Sequence, residues 1–351
     1  MAKDPLTGDI IHKKTRTGHA SGDGHHRERE RKQIMSTTNR MRFIFHHGPS
    51  AMLIGILITT GASAGAGDRQ AMFGSPGQAL TALQDAVKAA DTNAVRLLLG
   101  PVSDEFENPD PVQRANELHD LAQHFGEYAG LSTQDNTTVV LTLGNERWPF
   151  PIPLVMTNAQ WFFDSRSGKE EIQNRRIGHN ELSAMEVCHA YVRAQREFIQ
   201  KDYDSNGIME YAQRIQSSSG KKDGLFWAIK TGEEESPFGP LVAHACEEGY
   251  TAKDVSASHR KHDPFHGYFF RILKKQGRHA PGGKYDYVIN SHMVAGFAFL
   301  AYPAQWGNSG VMTFIVNQQG RIYQKNLGAK TGDLVRKIEE YDPDASWKPS
   351  E

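Results

Sequence analysis

The sequence predicts an α+β protein, and three observations predict it. Apolar residues recur at three- and four-residue steps from Leu80 to Phe125. Short runs of strand-forming residues follow, between Thr137 and Asp164. A long helical stretch beginning near Asn180 then gives way to further strand-like runs that reach Gln324. Helices followed by a meander, twice over, fit helices packed on antiparallel sheets rather than alternating βα units.

Each element has a local reason. Ser75-Pro76 reads as an N-cap followed by proline at the first helical position. Leu80, Leu83, Val87 and Ala90 then share one face. Asp91 caps a second short helix carrying Ala94, Val95, Leu97 and Leu98, which Gly100-Pro101 stops. A third helix follows the Asn108-Pro109-Asp110-Pro111 turn, with Ala115, Leu118, Leu121 and Phe125 as its apolar stripe. Strands are predicted over 137–143, 150–156 and 160–164, separated by Gly144-Asn145 and Thr157-Asn158 turns. These elements make a first α+β domain over 73–177.

The second domain, 178–348, opens on a helix capped by Asn180 and running to about Lys201. Leu182, Met185, Cys188 or His189, Val192 and Ile199 are spaced for its buried face. A polar stretch over 217–235 leads into Ser236-Pro237. Strands are then predicted over 268–273, 285–290, 294–301, 312–317 and 321–324, with Pro281-Gly282-Gly283 and Gln318-Gln319-Gly320 as turns.

The front of the chain has a different character. Residues 35–66 read as a secretory signal: Arg40 and Arg42 give a positive start, 51–60 is a short apolar run, and 62–66 offers small-residue cleavage sites. That run is short of the roughly 20 apolar residues a spanning helix needs. Residues 1–34 are polar and rich in His, Lys and Arg, and they form a disordered extension upstream of a start at Met35. The competing reading is a cytoplasmic tail before an uncleaved inner-membrane anchor. Export places the protein in the periplasm or outside the cell.

The whole chain carries 40 Lys and Arg against 41 Asp and Glu. Residues 1–66 hold 10 of the basic and 5 of the acidic groups, which leaves 30 against 36, a net of −6, after cleavage. A mildly acidic protein has no counterion-release drive toward nucleic acid, and it offers an anionic membrane no polybasic patch. Its contact with the membrane is through the signal segment alone, if that is uncleaved. Cys188 and Cys246 are the two cysteines; they either pair in an oxidising compartment or sit as separate thiols.

Two motifs hold candidate chemistry. In Asp202-Tyr203-Asp204-Ser205-Asn206-Gly207, oxygen-bearing side chains alternate before a turn glycine, as a calcium loop requires. Asp202, Asp204 and Asn206 would be ligands, and Glu210 would stand in for the bidentate glutamate, since Gln213 occupies that place. The same residues equally make an Asx-turn that ends the helix. Arg175-Arg176 can grip a carboxylate ligand or form a salt bridge between the domains. His259, His262 and His266 crowd one loop, but Pro264 opposes the helix a metal pair would need. Trp148, Trp161, Trp227, Tyr268, Phe270, Tyr285 and Trp306 line either a groove or the core. No nucleophile elbow, zinc helix, phosphate loop or dinucleotide fingerprint is present.

Arg175-Arg176-Ile177-Gly178-x-Asn180-Glu181-Leu182, Gly267-Tyr268-x-Phe270-Arg271-Ile272-Leu273 and Gly310-Val311-Met312-Thr313-Phe314-Ile315-Val316-Asn317 carry a resemblance. So do Glu186-Val187-Cys188-x-Ala190-Tyr191-Val192-x-Ala194-Gln195 and Pro281-Gly282-Gly283-x-Tyr285-Asp286-Tyr287. Together they resemble the bacterial family called domain of unknown function 2950, over nearly all of the chain after the signal; the likeness implies an exported protein and no particular activity. The first domain also resembles the NTF2-like cone of helices and strands. The second is similar to type IV pilin and pseudopilin heads, through Gly267-Tyr268-Phe269-Phe270, Tyr285-Asp286-Tyr287, Pro303, the Gly307-Asn308-Ser309-Gly310 turn and Phe314. A pilin's assembly segment runs straight into its helix, whereas here a whole domain intervenes, which argues against a pilus. The functional expectation is a non-catalytic binding or interaction module that meets an envelope protein or polymer. The alternative is a periplasmic hydrolase acting on envelope polymer in the cleft between the domains.

Overall fold

The computed structural model describes residues 70–203, 205–229, 232–256 and 263–350. The extension at 1–34 and the signal segment at 35–66 lie outside the described residues. The architecture is α+β, with helices packed against antiparallel sheets.

The first two helices start at the caps read from the sequence, and the third starts at the turn read ahead of it. Ser75 accepts the Gln78 amide ahead of α1 (Pro76–Lys88), and Asp91 accepts the Ala94 amide ahead of α2 (Thr92–Leu99). Asp110 accepts the amides of Val112 and Gln113 at the head of α3 (Pro111–Glu127). Each cap satisfies an N–H group that the first helical turn leaves without a partner. The chain then forms β1 (Ala129–Thr133), β2 (Thr138–Leu143), β3 (Trp148–Pro149), β4 (Leu154–Thr157) and β5 (Gln160–Phe163). Their order is β1-β2-β4-β5, all antiparallel, with β3 beside β2. Strand β1 is unexpected, because its Ala-Gly-Leu-Ser-Thr sequence stays half exposed or exposed and shows no alternation. Leu83, Leu99, Phe106, Leu121, Leu141 and Phe163 are central to this first core.

Helix α4 (Ser165–Phe198) is 34 residues long and spans about 50 Å at the standard rise. Its cap is Asp164, which accepts the Ser167 amide, so it begins well before the expected Asn180. The reason is compositional. The early buried positions are Gly168, Ile172, Arg176 and Asn180, which follow the four-residue step without making an apolar stripe. Cys188 and Val192 are buried as expected, but Leu182 is 62% exposed, and Ser183, Ala184, Val187 and Tyr191 face inward as well. The helix runs unbroken past residue 177. Ile172 belongs to the first core, while Val187, Cys188, Tyr191 and Val192 belong to a second.

The second core rests on a five-stranded antiparallel sheet of order β14-β13-β12-β11-β6. Strand β6 (Tyr268–Leu273) falls where the sequence places it. β7 (Lys275–Gln276) pairs with β8 (Tyr285–Asp286), and β9 (Val288–Ile289) pairs with β10 (His292–Met293). The run predicted over 285–290 is thus two short strands, ended by a tight turn in which Asn290 and Ser291 take φ of 50° and 72°. β11 (Ala298–Pro303) and β12 (Met312–Asn317) are almost wholly buried, and β13 (Tyr323–Asn326) and β14 (Lys348–Pro349) complete the sheet. Tyr191 of α4 stacks on Phe299 of β11 at 3.9 Å between centroids, with the rings 6° apart. The remaining helices are α5 (Gly239–Glu247), α6 (Ala252–Val255) and α7 (Thr331–Leu334), and Val242, Ala245 and Val255 join the second core.

Cys188 is buried and Cys246 exposed, and both are free thiols. Among the described residues, no helix is long and apolar enough to cross a membrane.

Candidate functional site

Between Phe198 and Gly239 the described residues form neither helix nor strand, apart from one isolated bridge between Gln216 and Phe226. An irregular segment of this length is uncommon inside a compact domain and usually has a function. Side-chain bonds to backbone hold it in place. The buried carboxamide of Gln195 donates from Nε2 to the Ala212 carbonyl at 2.7 Å and accepts the Ala212 amide at Oε1 at 2.9 Å. Tyr211 donates its amide to the Met293 carbonyl at 2.8 Å, and Gln213 Nε2 donates to the Ser291 carbonyl at 2.6 Å. Phe198, Tyr203 and Trp227 form an aromatic chain, with centroid separations of 4.8 Å and 5.1 Å.

Beside these contacts lies a half-open pocket of about 200 Å³. Its walls carry Lys201, Arg214, Lys222 and Lys274 against the carboxylates of Glu210 and Asp223. Both carboxylates have partners. Glu210 accepts the Met293 amide at 3.1 Å and lies 3.0 Å from His292 Nδ1. Asp223 accepts the amide and hydroxyl of Ser218 at 2.7 Å and 2.9 Å, with Arg214 at 3.4 Å. Burial works to raise the Asp223 pKa, but the Ser218 bonds and Arg214 outweigh it and hold the carboxyl below its usual range. Lys274 Nζ donates to Gln213 Oε1 at 2.9 Å, and Lys222 Nζ stands 5.1 Å from the Trp227 ring centroid.

The sequence-predicted loop forms one edge of this region. Asp202 accepts the Asn206 amide at 3.2 Å and the Gly207 amide at 2.8 Å, while Asn206 Oδ1 accepts the Ile208 amide at 2.7 Å. Ser205 and Gly207, at φ of 56° and 83°, supply the left-handed backbone of this turn. Asp202 and Asn206 therefore share one turn. Glu210 is engaged by His292 and Met293, and Asp204 lies outside the described residues. Among the described residues, no group of three or more His, Cys, Asp or Glu side chains is placed to hold a metal ion.

Arg175 and Arg176 are not brought together. Arg175 Nε donates to Glu171 Oε1 at 2.5 Å, and its guanidinium lies over the Trp148 ring at 4.6 Å. Arg176 is fully buried. Its Nη1 donates to the Phe106 carbonyl at 2.9 Å and to Asn308 Oδ1 at 2.5 Å, which ties the segment before α3 to the turn before β12. Burial lowers the Arg176 pKa, and the nearby Glu117, Glu107 and Asp110 oppose that shift. Adjacent helical residues point to different faces, so the two guanidinium groups have separate surroundings.

A polar network, invisible as a motif, joins the same regions. Asp110 Oδ2 accepts the Tyr250 hydroxyl at 2.9 Å and the Gly267 amide at 3.0 Å. His266, at φ 47°, holds Nε2 3.0 Å from Glu248 Oε2. Gln113 Nε2 donates to Asn180 Oδ1 at 2.8 Å, and Asn180 Nδ2 donates to the Ser309 carbonyl at 2.9 Å. Gly267, at φ 70°, leaves no room for a side chain, since a Cβ would lie 2.4 Å from Asn180 Nδ2. The sequence shows Asp110 only as part of the turn before a helix; its further partners lie 140 and 157 residues away. His259 and His262 lie outside the described residues. Of the aromatic residues singled out, Trp148, Trp227, Tyr268 and Phe270 are buried, whereas Trp306 is 37% exposed.

Residues 70–350 match the model of the family described as "Protein of unknown function (DUF2950)", and the chain belongs to that family. No curated protein and no solved structure matches it significantly.

Proposed function

We propose that this member of the DUF2950 family is an exported envelope protein that binds a small ligand in the pocket framed by Tyr203, Tyr211, Lys222 and Lys274, without catalysing a reaction on it. One observation supports the reading above the rest: a long segment without regular structure is tied down by buried bonds such as Gln195 to Ala212, and it lines a half-open pocket. Rigid scaffolds that position irregular loops are where binding sites concentrate. Export rests on the sequence of residues 35–66.

The alternative of a hydrolase working between the two cores needs a nucleophile open to substrate. Ser309 is fully buried, and its hydroxyl is bonded to the amide and carbonyl of Gln305. The His266 Nε2 atom is taken by Glu248. Neither arrangement favours hydrolysis.

Crystals of the protein from Gly67 onward, soaked with a fragment library, test the binding reading. Fragments should gather in the Tyr203–Lys274 pocket. A library that populates other surfaces and leaves this pocket empty would overturn it.

A further inference from the structure

We infer that the pocket's ligand is an acidic sugar: a single sugar ring carrying a carboxylate. This rests on the binding reading above and adds the chemical class. Size comes first. A cavity of about 200 Å³ is below the roughly 300–1,000 Å³ typical of drug-sized ligands, and it has room for one ring-sized group.

Charge comes second. Lys201, Arg214, Lys222 and Lys274 outnumber Glu210 and Asp223 in the walls. Glu234, bonded to Lys201 from outside the wall, reduces the surplus without reversing it. Arg214 pairs with Asp223, as Glu234 does with Lys201, which leaves Lys222 and Lys274 against the one wall carboxylate of Glu210, itself bonded to the Met293 amide beside His292. Lys222 and Lys274 make no ion pair within 4 Å among the described residues: one stands near the Trp227 ring, the other donates to an uncharged amide. Lys274 is exposed and Lys222 half-buried, and an ammonium group beside apolar surface gains more from a carboxylate than one in open water does.

The third feature is the mixture of surfaces. Tyr203, Tyr211 and Gln213 line the same small space as the lysines. Ring faces suit the C–H side of a pyranose, while hydroxyl and amide groups suit its hydroxyls. A bare anion would leave the aromatic wall unused, and a neutral sugar would leave Lys222 and Lys274 unmatched.

The experiment is calorimetric titration of the protein from Gly67 onward with glucuronate, with galacturonate and its trimer, with glucose, and with acetate. At least one uronate should bind, with affinity that falls as salt rises. Lys222→Gln and Lys274→Gln should each weaken it about threefold to fivefold, the range of a partly exposed ion pair. Trimer binding tighter than monomer assigns a polymer as the source, and equal binding assigns the free acid; both support the class. Glucose binding as tightly as the uronates, with no effect of the lysine variants, overturns the acidic class yet leaves the pocket a ligand site. Acetate binding as tightly as the uronates overturns the sugar. A crystallographic fragment screen that leaves the pocket empty, together with no heat from any compound, overturns both readings. Circular dichroism confirms that the variants fold, and Lys222→Arg, which keeps the charge, should retain binding.

Discussion

The side chain of Gln195 and the backbone of Ala212 form a closed pair of hydrogen bonds, donor to acceptor in both directions, at 2.7 Å and 2.9 Å. A side-chain amide here does what a neighbouring strand would do for a backbone unit. Gln195 Nε2 also donates to the Tyr191 hydroxyl at 2.9 Å, so the clamp is anchored in the second core.

Gln195→Ala should therefore lower stability by about 2–4 kcal/mol, since it leaves the Ala212 amide and carbonyl buried without partners. Urea unfolding followed by tryptophan fluorescence measures it. A loss below about 0.5 kcal/mol would mean that the loop holds itself up without the clamp.

Asp202 closes its turn with bonds to Asn206 and Gly207 that need no metal. Asp202→Ala should lower the melting temperature in EDTA, by the few degrees that about 1 kcal/mol represents. An unchanged melting temperature would show that the carboxylate does not hold the turn. Repeating the melts with added calcium tests the ion at Asp202 and Asn206. A calcium-induced rise in the unaltered protein that vanishes in the variant places it there.

The Glu248 carboxyl has a clear pH signature. Burial works to raise its pKa, but the His266 bond and the charges of His266, His244 and His179 outweigh it, and the folded-state value lies below the usual one of 4.5. A depressed carboxyl contributes stability that is present above the unfolded value and is lost as pH falls through the folded one. The stability gap between the unaltered protein and Glu248→Gln should thus be widest above about pH 5 and should shrink steadily toward about pH 3. Urea midpoints across that range give the gap directly, and a gap that widens on acidification would contradict the sign.

The two thiols should separate cleanly. Cys246 is exposed, whereas Cys188 is buried in the second core, where desolvation pushes its pKa up. A chromogenic disulfide reagent should label one thiol rapidly in the native protein and the second only after unfolding. Cys246→Ser should abolish the rapid phase.

The sequence showed much of the fold and little of the site, for a common reason. The caps of α1 and α2 could be read because capping uses side chains within three residues of the amides they satisfy. Strands β6 and β12 could be read because their apolar runs are continuous. The first half of α4 could not be read, since the burial of Arg176 and Asn180 depends on Phe106, Asn308 and Ser309, far away in the chain. The pocket was hidden in the same way. Lys222 and Gln213 look like an ordinary solvated loop until Lys274, 61 residues after Gln213, closes over them. The Asp202-Asn206-Gly207 turn and Trp227 within a polar stretch were the local signs that the segment is built.

Helix α4 also imposes an order of assembly. Its first turns rest on strands and helices that precede it in the chain, so they can dock as soon as they are made. Its last turns cannot. The Tyr191 hydroxyl reaches the carbonyl of Ala298, 107 residues later. A ribosome therefore releases the lower half of this rod long before the sheet that covers it, and closing such a distant contact is slow. Throughout that interval the apolar side of α4 is the surface a chaperone would recognise, and the finished fold is reached only when the last strands arrive to cover it.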